Sequence, residues 1–175
     1  MFTGSHLGED GPGLRYARAM PSLPQTGGCL CGDVRYSLRE DPVTVYACHC
    51  TDCQTETGSA VYLAVVVPAA ALAYTRGKPV PWQVALADGR SKGSDHCERC
   101  KTKIGAASKV TGLASIDGGT FDDTSWIDPV AHIWTRSAQP WIRLPQRAML
   151  LPQQPSDEDF VAMARAWKER PRPPS

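Results

Sequence analysis

The sequence predicts a single, mainly β domain with one short helix near its C-terminal end. Three observations point there: short apolar runs separated by Gly, Pro and Asp, a length of 175 residues, and cysteines gathered into three tight clusters. A chain of this length buries roughly 70% of the surface it would expose unfolded, enough for one proper core. Two full domains would be a squeeze. The runs GDVRYSL, VYLAVVV, PWQVAL and HIWTR are bounded by turn formers and rich in β-branched and aromatic residues, which marks them as strands.

Taken in order, residues 1–25 read as a flexible leader, with Gly and Pro but no sustained period. The β domain is expected over 26–155. Within it, Val84 and Leu86 lead into Asp88-Gly89, a hairpin signal because Gly accepts the positive φ of a tight turn. In SDEDFVAMARAWKER, Ser156 is placed to cap a helix, with Asp159 three residues on, while Phe160, Met163, Ala164 and Trp167 share one face. Lys168 and Arg170 lie where the helix dipole favours cations. The helix is predicted over 156–170, and Pro171, Pro173 and Pro174 make 171–175 an irregular tail.

Nineteen Lys and Arg against eighteen Asp and Glu leave a formal net charge of +1, with no broad attraction for nucleic acid or an anionic membrane. The most apolar run, VYLAVVVPAAALA, is shorter than the roughly 20 residues a bilayer needs and is interrupted by Pro68, so no membrane span is expected. The opening MFTGSHLGEDG has neither the positive start nor the apolar centre of a secretory signal, which points to the reducing cytoplasm. Seven thiols there, an odd number, read as metal ligands or catalysts rather than bridges. No GxSxG elbow, GxxxxGK loop or dinucleotide fingerprint is present.

The thiol spacings carry the chemistry. Alternation in an extended segment puts Cys29 and Cys31 on one side, and Cys97 and Cys100 have the CxxC spacing that wraps a turn around zinc. Together they make one closed tetrahedral site. Closing the loop between Cys31 and Cys97 costs about 3–4 kcal/mol, against roughly 10–16 kcal/mol from structural zinc. In CHCTDC, Cys48 and Cys50 share a face, a turn at Thr51-Asp52 brings Cys53 round, and His49 points away. Three thiolates on one ion leave a position for water or a substrate atom, the mark of a catalytic site. Other readings stand beside this one. Cys29 and Cys31 could pair with Cys50 and Cys53, stranding Cys48 with the second knuckle; single cysteines could be core, and the CxxC a redox pair.

GGCLCGDVRYSL, ACHCTDCQTETGSA, HCERC, ASIDGG and HIWTRSAQPW together resemble the family of glutathione-dependent formaldehyde-activating enzymes and centromere protein V, from about Gly27 to Trp141. The resemblance implies a zinc-pinned arrangement of antiparallel sheets with two zinc ions per chain. It implies a structural zinc on Cys29, Cys31, Cys97 and Cys100, and a second zinc tied to activity on Cys48, Cys50 and Cys53. Lys101 stands where the family pattern has Gly, and His96 where it has an aromatic apolar residue. No basic residue except His49 occurs in CHCTDCQTETG to meet anionic glutathione.

Three thiolates make a weak Lewis acid better suited to binding thiols than to making hydroxide. The reading is a carbon–sulfur lyase acting on a small thiol–aldehyde adduct of the S-hydroxymethyl thiol type. Asp52, His49 and His132 are the proton carriers available by type. His132 reads first as a packed strand residue, His96 as a brace, and Asp117, Asp122 and Asp123 as solvated turns. Trp126, Trp134 and Trp141 read as core or rim before pocket. A non-catalytic zinc module for protein or nucleic acid, or a metal buffer, are the rival functions.

Overall fold

The computed structural model describes residues 21–107 and 111–170; residues 1–20 of the leader and the tail 171–175 lie outside them. The body is mainly β, in two sheets. The smaller joins β1 (Gln25–Gly28), β2 (Arg35–Leu38) and β5 (Leu72–Arg76), all antiparallel. The larger has eight strands. At its centre are β3 (Thr44–Cys48), β4 (Tyr62–Pro68) and β9 (Leu113–Asp117); one wing is β8 (Lys103–Ala107), β7 (Ser91–His96) and β6 (Val80–Ala85), and the other is β10 (Ala131–Ile133) and β11 (Met149–Leu151).

Strand β4 is flanked on both sides, so its run AVVV is continuously buried rather than alternating. The core gathers Tyr36, Leu38, Val45, Val65, Val67, Ile104, Ile116 and Trp126. The expected hairpin is present. Ala85 pairs with Ser91, and Gly89 takes a φ of 84° in the loop between them, where its amide donates to the Leu86 carbonyl. HIWTR departs from expectation after its second residue, Ile133. Strand β10 runs parallel to both β3 and β11, and the chain leaves it at Trp134 in a left-handed conformation. The sheets are thus mainly, not wholly, antiparallel.

Helix α2 (Asp157–Glu169) forms where predicted, with the Ser156–Asp159 capping box complete. Met163 and Trp167 are fully buried, Trp167 edge-on to Trp126, and Thr44 of β3 donates to the Met163 carbonyl. A second helix, α1 (Thr51–Thr57), was not anticipated. It stands where the sequence predicts only a turn. Among the described residues, no helix is long and apolar enough to cross a membrane.

Candidate metal centres

Two chain turns face each other to assemble the first thiol group. Cys29 and Cys31 do not lie in a strand, as alternation predicted, but in the turn that follows β1, where the Gly32 amide donates to the Cys29 carbonyl and Gly32 takes a φ of 76°. Leu30 projects from its tip, 92% exposed. The second turn lies between β7 and β8 and carries Cys97 and Cys100. Its Lys101 amide donates to the Cys97 carbonyl, and Arg99 clasps the first turn through Asp33 at 2.8 Å and the Cys31 carbonyl at 3.0 Å. All four sulfurs lie within 4.8 Å of one another. Sulfurs about 2.3 Å from a tetrahedral zinc would be about 3.8 Å apart, and Cys29–Cys31 at 3.5 Å and Cys31–Cys97 at 3.7 Å meet that spacing. The donor set fits zinc in ligand type, number and proximity.

Lys101 holds its turn at a structural cost. Its φ is 59°, the left-handed region that Gly enters freely and a β-carbon resists. Lys101→Gly is expected to raise stability by about 1 kcal/mol, read as a higher urea midpoint at unchanged zinc content.

The second group is built at the end of β3. Cys48 closes the strand, Cys50 is the N-cap of α1 with its sulfur accepting from the Cys53 amide at 3.4 Å, and Cys53 lies in the first turn. The three sulfurs are again within 4.8 Å, and no fourth His, Cys, Asp or Glu joins them among the described residues. The bond to Cys48, reinforced by Lys92 and Lys103 against the effect of burial, holds the Cys53 thiol below its usual range. The fold brings together the two expected sets. It does not form the alternative pairing of Cys29 and Cys31 with Cys50 and Cys53.

The loop is clamped from behind. His49 is fully buried, with Nε2 2.9 Å from His132 Nδ1 and the two rings stacked. Burial lowers both imidazoles, His132 to about 4 with His49 adding to the effect. The Gln54 amide donates to the His49 carbonyl at 2.7 Å and to the Ser137 carbonyl at 2.9 Å, while its oxygen accepts from Gln139 at 2.7 Å. In front, the thiols open onto a cleft of about 630 Å³. Of the three proton carriers named by type, only Asp52 lines it, 3.0 Å from Arg90. Trp126 is core, Trp141 is 72% exposed, and Trp134 lines the cleft.

Sequence reasoning missed the cations. Lys92 approaches Cys53 Sγ to 3.7 Å, and Arg90 and Arg136 line the same cleft. None is near CHCTDC in the chain; the hairpin β6–β7 and the loop after β10 deliver them. Lys92 and Lys103 share Glu56, each at 2.8 Å. Burial would raise the Glu56 carboxyl, but the two ammonium groups outweigh it and hold it down at about 2. Arg136 lies 4.7 Å over the Trp134 ring and has no carboxylate partner among the described residues. Asp117, Asp122 and Asp123 form no further ligand group; Asp122 instead binds Arg35 and Thr26.

A sequence profile described as glutathione-dependent formaldehyde-activating enzyme matches residues 24–137. The chain belongs to that family. Both thiol groups of this formaldehyde-activating-enzyme relative fall inside the matched region. No curated protein matches the chain.

Proposed function

We propose that the protein is a zinc-dependent carbon–sulfur lyase acting on a small thiol–aldehyde adduct of the S-hydroxymethyl thiol type. Cys48, Cys50 and Cys53 hold the working metal, and Cys29, Cys31, Cys97 and Cys100 hold a structural one. The supporting observation is the three-thiol group that lacks a fourth protein ligand and opens onto a cationic cleft. When bound there, zinc supplies a site that favours the deprotonated form of a substrate sulfur.

The protein groups do the rest. As the carbon–sulfur bond breaks, its electron pair stays on sulfur, and the adduct hydroxyl loses its proton to become the aldehyde carbonyl. Asp52 is the carboxylate in the cleft able to accept that proton, with the Arg90 guanidinium 3.0 Å away to orient it. Lys92, beside Cys53, offsets the negative charge that gathers on the sulfurs. Arg136, stacked on Trp134 and without a carboxylate of its own, can bind an anionic end of the thiol, as glutathione would offer.

The test is turnover of S-hydroxymethyl adducts of a thiol panel, followed by aldehyde release, with both metals loaded. Acceleration over the uncatalysed equilibration supports the lyase; none with any adduct would overturn it in favour of a binding module. Arg136→Ala is expected to raise KM for a carboxylate-bearing thiol adduct about tenfold, ~1.4 kcal/mol, with kcat little changed. An adduct without a carboxylate should not feel the substitution.

A further inference from the structure

We propose that the apolar face of the β6–β7 hairpin seats the non-reacting part of the substrate, so that the substrate sulfur carries an apolar group. This rests on the reading of the three-thiol cleft as the reaction site.

On β6, Val80, Trp82 and Val84 alternate onto one face, and the residues opposite them on β7 are His96, Ser94 and Lys92. Helix α1 forms the facing wall with Thr55 and Glu56, and the groove between them measures about 650 Å³, within the roughly 300–1,000 Å³ of small-molecule sites. Trp82 is 49% and Val80 38% exposed, so this apolar surface is not spent on the core. Several of the polar groups along it are already paired. Ser94 Oγ donates to Glu56 at 3.0 Å and lies 2.9 Å from His96 Nε2, His96 Nδ1 meets the Lys101 carbonyl at 3.0 Å, and Glu56 is shared by two lysines. What remains to attract a ligand is the apolar area and the Lys101 side chain, which also lines the groove.

The groove adjoins the reaction cleft. Asp52 and Lys92 line both, and Lys92 Nζ is 3.7 Å from Cys53 Sγ, so the groove begins one side chain away from the thiols. A substituent on a sulfur held at the three thiols can therefore enter it. Strand β6 ends the sheet and so offers an edge to a second copy, but Pro81 removes an amide from it and weakens such pairing. The polar end of a thiol at Arg136 and an apolar group against Trp82 are compatible in one adduct.

The experiment titrates the full-length protein, with cobalt in place of zinc, with ethanethiol, propanethiol, butanethiol and pentanethiol, read by visible absorption. Affinity is expected to rise about three- to fourfold per methylene. In Trp82→Ala, and independently in Val80→Ser, the series should flatten while ethanethiol binds as before. Thiols that perturb the spectrum with no dependence on chain length, or a dependence that both variants retain, would overturn the groove and leave the open site standing. No spectral change with any thiol would overturn the open site, and the groove with it. A doubled mass by light scattering together with a flat series would assign the face to a second copy of the chain instead.

Discussion

Cys31→Ser and Cys100→Ser are each expected to yield protein that does not fold. Both residues lie in turns that Arg99 also clasps from the exposed side, and their sulfurs join the turn after β1 to the turn between β7 and β8. Structural zinc contributes roughly 10–16 kcal/mol in small zinc domains, as much as the whole 5–15 kcal/mol stability of an ordinary domain. Loss of one thiolate also leaves three buried or half-buried sulfurs without the ion that justifies their proximity. The expected readings are insoluble expression, or soluble protein with loss of near-ultraviolet dichroism and of one zinc. Soluble, metal-replete variants with unchanged melting would contradict the assignment of this group as structural.

Cys50→Ser should separate folding from activity. Serine is among the best N-cap residues, so its hydroxyl can take the Cys53 amide that Cys50 Sγ now accepts, and α1 is retained. The clamp on the loop is also untouched, since it uses the His49 carbonyl and imidazole. Elemental analysis is expected to fall from two zinc ions per chain to one, with melting nearly unchanged. Turnover of the adduct should drop by about a thousandfold, ~4 kcal/mol. Two zincs retained with full turnover would remove Cys50 from the working site.

The sequence made the parts with local signatures legible. The Asp88-Gly89 hairpin needs only a positive φ at one position, and the Ser156–Asp159 capping box is contained within four residues; both form as read. The thiol groups were legible because CxC, CxxC and CxCxxC are short spacings, although Cys29 and Cys31 reach their places through a turn at Gly32 and not through strand alternation. Helix α1 was not legible: seven residues, TDCQTET, carry no apolar period, and the cysteine cap and Gly58 at its end define it instead. Nor could Arg90, Lys92 and Arg136 be assigned to the cleft from the chain order. Their arrival depends on β7 lying beside α1 and on the left-handed turn at Trp134, which are tertiary facts.

The Gln54 clamp bears on how quickly metal can come and go. With the His49 carbonyl held by both Gln54 and Ser137, and the imidazole held by His132, the loop carrying Cys48, Cys50 and Cys53 has its backbone fixed independently of any ion. An incoming ion then has little chain entropy to overcome at this group. The four-thiol group is the opposite case, because two turns must be brought together from distant parts of the chain. The two centres should therefore exchange on different clocks, the three-thiol ion trading with a chelator while the tetrathiolate ion stays for the lifetime of the fold.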